Sequence, residues 1–209
     1  MNNNFAENIN FPNYWNWNGF KICWSVTGED NEIPIIFHII YNNESVGTGP
    51  NLSQALINAQ IDQLNIDFAN QAGALSGPWA SVSADSDIQF VPAAVDPNGV
   101  PLAEPGINRV GGYATPLDFD GNIKPATIWD RTRYANIWTG ELGGGLLGYA
   151  QFPDNSTLPG MPGGAGGAAN TDGVVCTYTS IGSVAMPHPS GGQFNKGRTL
   201  THEIGHWIG

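Results

Sequence analysis

The chain has 209 residues, enough for one domain with a substantial core. Its 18 acidic and 7 basic residues give a net charge of -11 and a pI near 4.4, which argues against a nucleic-acid or anionic-membrane surface. Charged residues make up only 12% of the chain, about half the usual ~25%, and no stretch approaches the roughly 18 uninterrupted apolar residues that a membrane span needs.

Residues 1 to about 31 are rich in Asn and aromatics (Trp15, Trp17, Phe20, Trp24) and read as an N-terminal extension or pro-segment remnant. Its aromatics are expected to pack on the domain rather than stack on carbohydrate, because clustered aromatics more often bury themselves. Met1-Asn2-Asn3-Asn4 has neither the basic nor the apolar region of an export leader. Ile33 to Tyr41 is almost wholly apolar and predicts a strand buried on both faces, with His38 a hydrogen-bonded core histidine. From Asn51 or Ser53 to about Gln71 a helix is predicted, capped by one of those two residues, with Leu52, Leu56, Ala59, Leu64 and Phe68 toward the sheet.

Asp87 to Pro92 predicts a second strand, followed by a turn at Asp96-Pro97-Asn98-Gly99. Pro101 to Arg133 reads as an irregular surface excursion in which Ile107 to Val110 is a short strand at most. Tyr134 to Trp138, Leu146 to Phe152 and Gly173 to Tyr178 predict three further strands. Gly143-Gly144-Gly145 is a turn and lacks the Lys-Ser/Thr of a phosphate loop, which excludes nucleotide binding there. Pro159 to Asn170 is a Gly/Ala/Pro loop with no capacity to build a core. Two cysteines, Cys23 and Cys176, leave three readings open: unrelated buried side chains, one disulfide, or a Cys23 thiolate that ligates metal before activation.

The densest chemistry is His202-Glu203-Ile204-Gly205-His206. A helix is predicted from Asn195 or Lys196 to Ile208, with Leu200, Ile204, Trp207 and Ile208 on its buried face. Asn195 is the expected cap and Gly209 the expected stop. Residues four apart share a helix face, so His202 and His206 can present imidazole nitrogens to one Zn2+, while Glu203 reaches the attacking water as general base. Catalytic zinc normally takes three protein ligands. Gly209 stands seven residues after His202, where the longer pattern His-Glu-x-x-His-x-x-Gly-x-x-His needs a glycine before its third histidine; the chain ends three positions short of that residue.

The segment from Gly197 to Gly209 resembles the active-site helix of the pappalysin (cytophagalysin-type) metzincin peptidases. So do Ile33 to Tyr41, Asn136-Ile137-Trp138, Leu146 to Pro153 and Thr171 to Val175, in the same order. The resemblance implies an α+β fold, the N-terminal subdomain of a zincin-like (metzincin) catalytic domain over residues 32 to 209. A twisted, mixed five-stranded sheet would carry a backing helix and an active-site helix, with the C-terminal subdomain absent. It further implies a secreted zinc endopeptidase, with His202 and His206 as metal ligands and Glu203 as base. The fourth strand would be the rim of the cleft, where Leu147, Gly148, Tyr149 and Ala150 pair with a protein or peptide substrate through their backbones. The acidic balance suits calcium as well, but no Asp-rich loop locates a site. Because the pattern is incomplete in this chain, hydrolysis by residues 1–209 alone is expected to be negligible. A non-catalytic secreted module with a partial zinc site is the alternative.

Overall fold

The computed structural model describes residues 16–17, 20–21, 31–73, 80–152 and 167–208. Two dipeptides, β1 (Asn16–Trp17) and β2 (Phe20–Lys21), form a short antiparallel ladder. The aromatic side chains of that segment, Cys23, residues 159–166 of the glycine-rich loop, and Gly209 lie outside the described residues.

β3 (Asn31–Ile40) is the centre of the main sheet, since Ile35 to Ile40 are buried on both faces. Along one edge it pairs in parallel with β4 (Ile88–Pro92) and then with β5 (Ile107–Val110). Along the other edge it pairs in parallel with β6 (Ala135–Gly140). The row is closed by β7 (Gly148–Ala150), antiparallel to β8 (Val174–Thr177), which in turn lies parallel to β6. The order is β4-β3-β6-β8-β7 with β5 beside β3, six strands where five are expected from the sequence. The extra strand is Ile107–Val110, which buries Ile107 against the C-terminal half of β3.

Side chains alternate across a sheet, and this alternation divides the molecule. Ile33, Ile35, Phe37, Ile39, Ala135, Ile137, Val174 and Cys176 face two helices, α1 (Gln54–Phe68) and α3 (Arg198–Ile208). Ile36, Ile40, Trp138 and Val175 face the other way, onto the connection between β5 and β6. That connection is not merely an excursion over the surface. It buries Phe119 and Ile123 in a five-residue π-turn (Phe119–Ile123) followed by α2 (Lys124–Thr127). A turn this short has no helical period to read, so its anchoring residues escape a periodicity argument.

The Ser53 hydroxyl caps α1 by accepting from Leu56 N at 3.3 Å. The buried stripe of α1 runs through Leu56, Ile57, Gln60, Ile61, Gln63 and Leu64, so Ile57 and Ile61 take the place expected for Ala59. β7 has three residues rather than seven. Asn195 does not cap α3. Its amide donates to His188 O at 2.8 Å, and the helix begins at Arg198, after Gly197 with φ +77. A β-carbon on Gly197 would collide with the Gly182 carbonyl, so only glycine permits this close approach.

Candidate functional site

α3 is held against the sheet by Leu200, Ile204 and Trp207, spaced four and three residues apart and all buried. Polar clamps at both ends set its rotation. At the start, the buried Asp67 of α1 accepts from Thr201 Oγ1 (2.6 Å), Arg198 Nη1 (2.8 Å) and Gln63 Nε2 (2.8 Å). Gln60 donates to Gly197 O (3.1 Å) and accepts from Gly182 N (3.1 Å), tying the chain entering α3 to the same helix. At the end, Trp207 Nε1 donates to Asp172 Oδ1 (3.0 Å), and Arg131 pairs with the other oxygen of that buried carboxylate at 3.4 Å. These clamps are absent from the sequence reading. A signal existed: Gln60, Gln63 and Asp67 follow the helical period along an otherwise apolar stripe.

With α3 so oriented, His202 and His206 project from the exposed side, their Nε2 atoms 3.0 Å apart and their rings nearly perpendicular at 89°. Two donors on one tetrahedral zinc, at bond lengths near 2.0–2.1 Å, stand roughly 3.3 Å apart. The pair therefore needs only a few tenths of an ångström of adjustment to share an ion. Among the described residues no third His, Cys, Asp or Glu joins them. Phe152 packs edge-on against the His206 ring at 5.3 Å and limits its rotation.

Glu203 lies between α3 and β7 and is half-buried. Burial pushes its carboxyl above the usual range, and the neighbouring His202 and His206 oppose that shift. A β-carbon on Gly148 would stand 3.1 Å from Glu203 Cγ, 3.1 Å from Cys176 Sγ and 2.8 Å from Val175 O. The bare glycine thus lets the edge strand lie directly on the carboxylate side chain. Cys176 is a free, buried thiol whose ionisation is suppressed first by burial and then by the Glu203 charge. It is inert packing beneath the site.

β7 is the last strand of the described sheet. Thr177 N donates to Leu147 O (2.8 Å) and Gln151 N donates to Gly173 O (3.1 Å). Because hydrogen-bonded and open pairs alternate in an antiparallel ladder, Leu147, Tyr149 and Gln151 bond to β8. Gly148 and Ala150 therefore direct their backbone N–H and C=O groups outward. Of the four residues expected at a substrate edge, these two carry backbone groups without a partner among the described residues.

His38 is on the opposite face of the sheet from α3. Its Nε2 bonds Asn136 Oδ1 (2.9 Å) and its Nδ1 bonds the Asn108 amide nitrogen (2.9 Å). Trp129 N also donates to Asn136 Oδ1 (2.9 Å) while Asn136 Nδ2 donates to two carbonyls, so that oxygen is an acceptor and His38 is neutral with its proton on Nε2. Burial lowers its pKa to about 4. It is a core histidine.

The chain that carries this helix and sheet edge has known relatives. An extracellular metalloprotease of Colletotrichum graminicola is 32% identical over 187 residues, and one of Uncinocarpus reesii is 40% identical over 180. The relatives are metalloproteases. Each alignment covers 85% of this chain and 50% or 52% of the relative, so the chain spans about half the length of the curated relatives it matches. Among solved structures, mature mirolysin of Tannerella forsythia in complex with a cleaved peptide is 36% identical, with a TM-score of 0.62 over 84% of this chain and 62% of that one. A promirolysin mutant is 33% identical, with a TM-score of 0.64 over 86% of this chain and 55% of that one. No family model matches the sequence. The metalloprotease names imply a metal cofactor, and no described helix is long and apolar enough to cross a membrane.

Proposed function

We propose that residues 32–209 are the N-terminal half of the catalytic domain of a secreted, pappalysin-type zinc endopeptidase, with residues 1–31 an extension or pro-segment remnant. The observation that carries this reading is the convergence of His202 Nε2 and His206 Nε2 at 3.0 Å beside a half-buried Glu203. The metalloprotease relatives and the mirolysin likeness support it. The relatives' designation as extracellular supports secretion.

In this mechanism His202 and His206 hold zinc, which when bound supplies Lewis acidity toward the scissile carbonyl and a nearby water. Glu203 takes a proton from the attacking water and returns it to the leaving amine nitrogen. Its half-buried position on the same helix as the two imidazoles places the carboxylate for both transfers. An extended peptide lies along β7, bonding to the outward groups of Gly148 and Ala150. The clamps at the two ends of α3 fix the helix that carries the carboxylate and the imidazoles, which reduces the orientational search before reaction.

The test is hydrolysis of a quenched fluorescent peptide library by the full-length protein. Glu203→Ala should reduce the rate by at least about 10²-fold while stoichiometric zinc binding persists. Loss of zinc binding in His202→Ala together with His206→Ala, and none in Glu203→Ala, separates ligand from base. Residues 1–209 alone should bind zinc weakly and cleave negligibly, and robust Glu203-dependent cleavage by that piece would overturn the need for the second half. A full-length protein that binds zinc but cleaves no peptide leaves the scaffold alternative standing.

A further inference from the structure

Lys124 is the least expected side chain in the fold: a lysine only 1% exposed, on a four-residue helix, on the sheet face away from the imidazole pair. Its Nζ lies 2.7 Å from Asp120 Oδ1, 4.6 Å from the centre of the Tyr149 ring and 5.4 Å from that of Trp138. Both ring distances fall within cation–π range. Tyr149 Oη donates to Asp120 Oδ2 at 3.1 Å. One carboxylate thus holds the ammonium with one oxygen and the phenol with the other, and the phenol ring covers the ammonium.

The group is anchored to the centre of the sheet. Trp138 Nε1 on β6 donates to Thr127 Oγ1 (2.9 Å), and Thr127 Oγ1 donates to Ile123 O (2.6 Å), fixing α2 and the π-turn below it. Tyr149 is the middle residue of a strand only three residues long. It packs on the far-face core, while Ala150 packs on the helix-facing core and the backbone of Gly148 lies on Glu203. Burial holds the Tyr149 phenol protonated, with the Asp120 charge acting in the same direction, so it remains a donor. Burial lowers the Lys124 pKa, and Asp120 counters that shift. The other contacts of β7 are main-chain pairing to β8 and apolar packing on the two sheet faces, so this is its one polar side-chain tether among the described residues.

We infer that Lys124, Asp120 and Tyr149 form a strap that fixes the height and twist of β7 over Glu203, and so positions the peptide-binding edge relative to the reacting carboxylate. These are positioning residues: Lys124 and Asp120 reach the site only through Tyr149 and the strand it belongs to. The inference rests on the reading that β7 pairs with an extended peptide.

The test uses Tyr149→Phe, which removes the phenol donor, and Lys124→Met, which replaces a buried charge by an apolar chain of similar length and leaves Asp120, whose side chain is 58% exposed, to be hydrated by water. Two readouts are taken on the full-length protein: amide exchange at Tyr149 and Val175, and KM and kcat for peptides of increasing length. Both variants should speed exchange at these two amides by about 10-fold, with β3 and β6 amides unmoved. KM for peptides long enough to lie along β7 should rise about fivefold while kcat changes by less than about twofold. Lys124→Arg should restore much of the loss. Unchanged exchange and KM, in a wild-type protein whose KM falls with peptide length, overturns the strap alone. Equal losses in KM and kcat with faster exchange throughout the sheet also overturn it, since the group is then general scaffolding. A wild-type KM independent of peptide length overturns the β7 reading itself, and the strap with it.

Discussion

The two faces of the sheet use histidine in opposite ways. On the far face, His38 has both ring nitrogens engaged by Asn136 and Asn108, stacks on Trp138 at 5.0 Å and is fully buried. On the helix face, His202 and His206 are exposed, and their ring nitrogens meet each other rather than the protein. A histidine whose two nitrogens already have partners belongs to the fold, whereas one held in place by its backbone with a nitrogen turned outward is available to a ligand. The lesson is that availability depends on what reaches the ring, which no residue count reveals.

The largest effect that could break this contrast is His38→Ala. It should cost about 3–4 kcal/mol in urea unfolding, by leaving a cavity between Trp129 and Trp138 and stranding the Asn108 amide. A cost below about 1 kcal/mol would mean the far-face network is ornamental.

Next comes acid. His38 has a folded pKa of about 4 against 6.5 unfolded, so the unfolded chain binds the extra proton first. Its contribution to stability is therefore complete above pH 6.5 and disappears as pH falls toward 4, by about 3 kcal/mol over that window. Glu104 and Asp130, whose hydrogen bonds lower their pKa values, lose stability in the same direction. Comparing wild type with His38→Gln cancels their share. Parallel pH profiles for the two proteins would contradict the assignment.

Asp67→Ala should cost about 2 kcal/mol, measured by thermal melting, because Thr201 and Gln63 lose a buried acceptor. Zinc affinity should fall with it as α3 loosens at its first turn. Gly148→Ala should cost about 1 kcal/mol through overpacking against Val175 O and Glu203. Its signature is catalytic: peptide hydrolysis falls further than stability does. The smallest effect is expected for His202→Ala without metal, within about 0.5 kcal/mol of wild type. With zinc present the same substitution should abolish the metal-induced rise in melting temperature. That split, set beside His38→Ala, is the sharpest form of the comparison.

Much of the architecture was legible along the chain. A buried first strand over Ile33 to Tyr41, a helix capped at Asn51 or Ser53, the β4, β6 and β8 segments and the apolar stripe of α3 follow from period and capping chemistry, and the structure selects Ser53 as the cap. So does the pairing of His202 with His206, because four residues on a helix bring two side chains to one face whatever else surrounds them. Local geometry carries those inferences, and local geometry is what neighbouring residues encode.

What the tertiary structure decided is of another kind. Gln60 and Asp67 stand out as polar positions on the stripe of α1, but nothing near them or Asp172 in sequence says that the segment they hold is α3, 137, 134 and 35 residues away. Burial of Lys124 follows from the π-turn and the Trp138–Thr127 bond, and the role of Gly148 from the passage of β7 over Glu203. These are contacts between segments whose meeting depends on the whole packed chain. Periodicity reports which side of an element is buried, and only the assembled fold reports what that side touches.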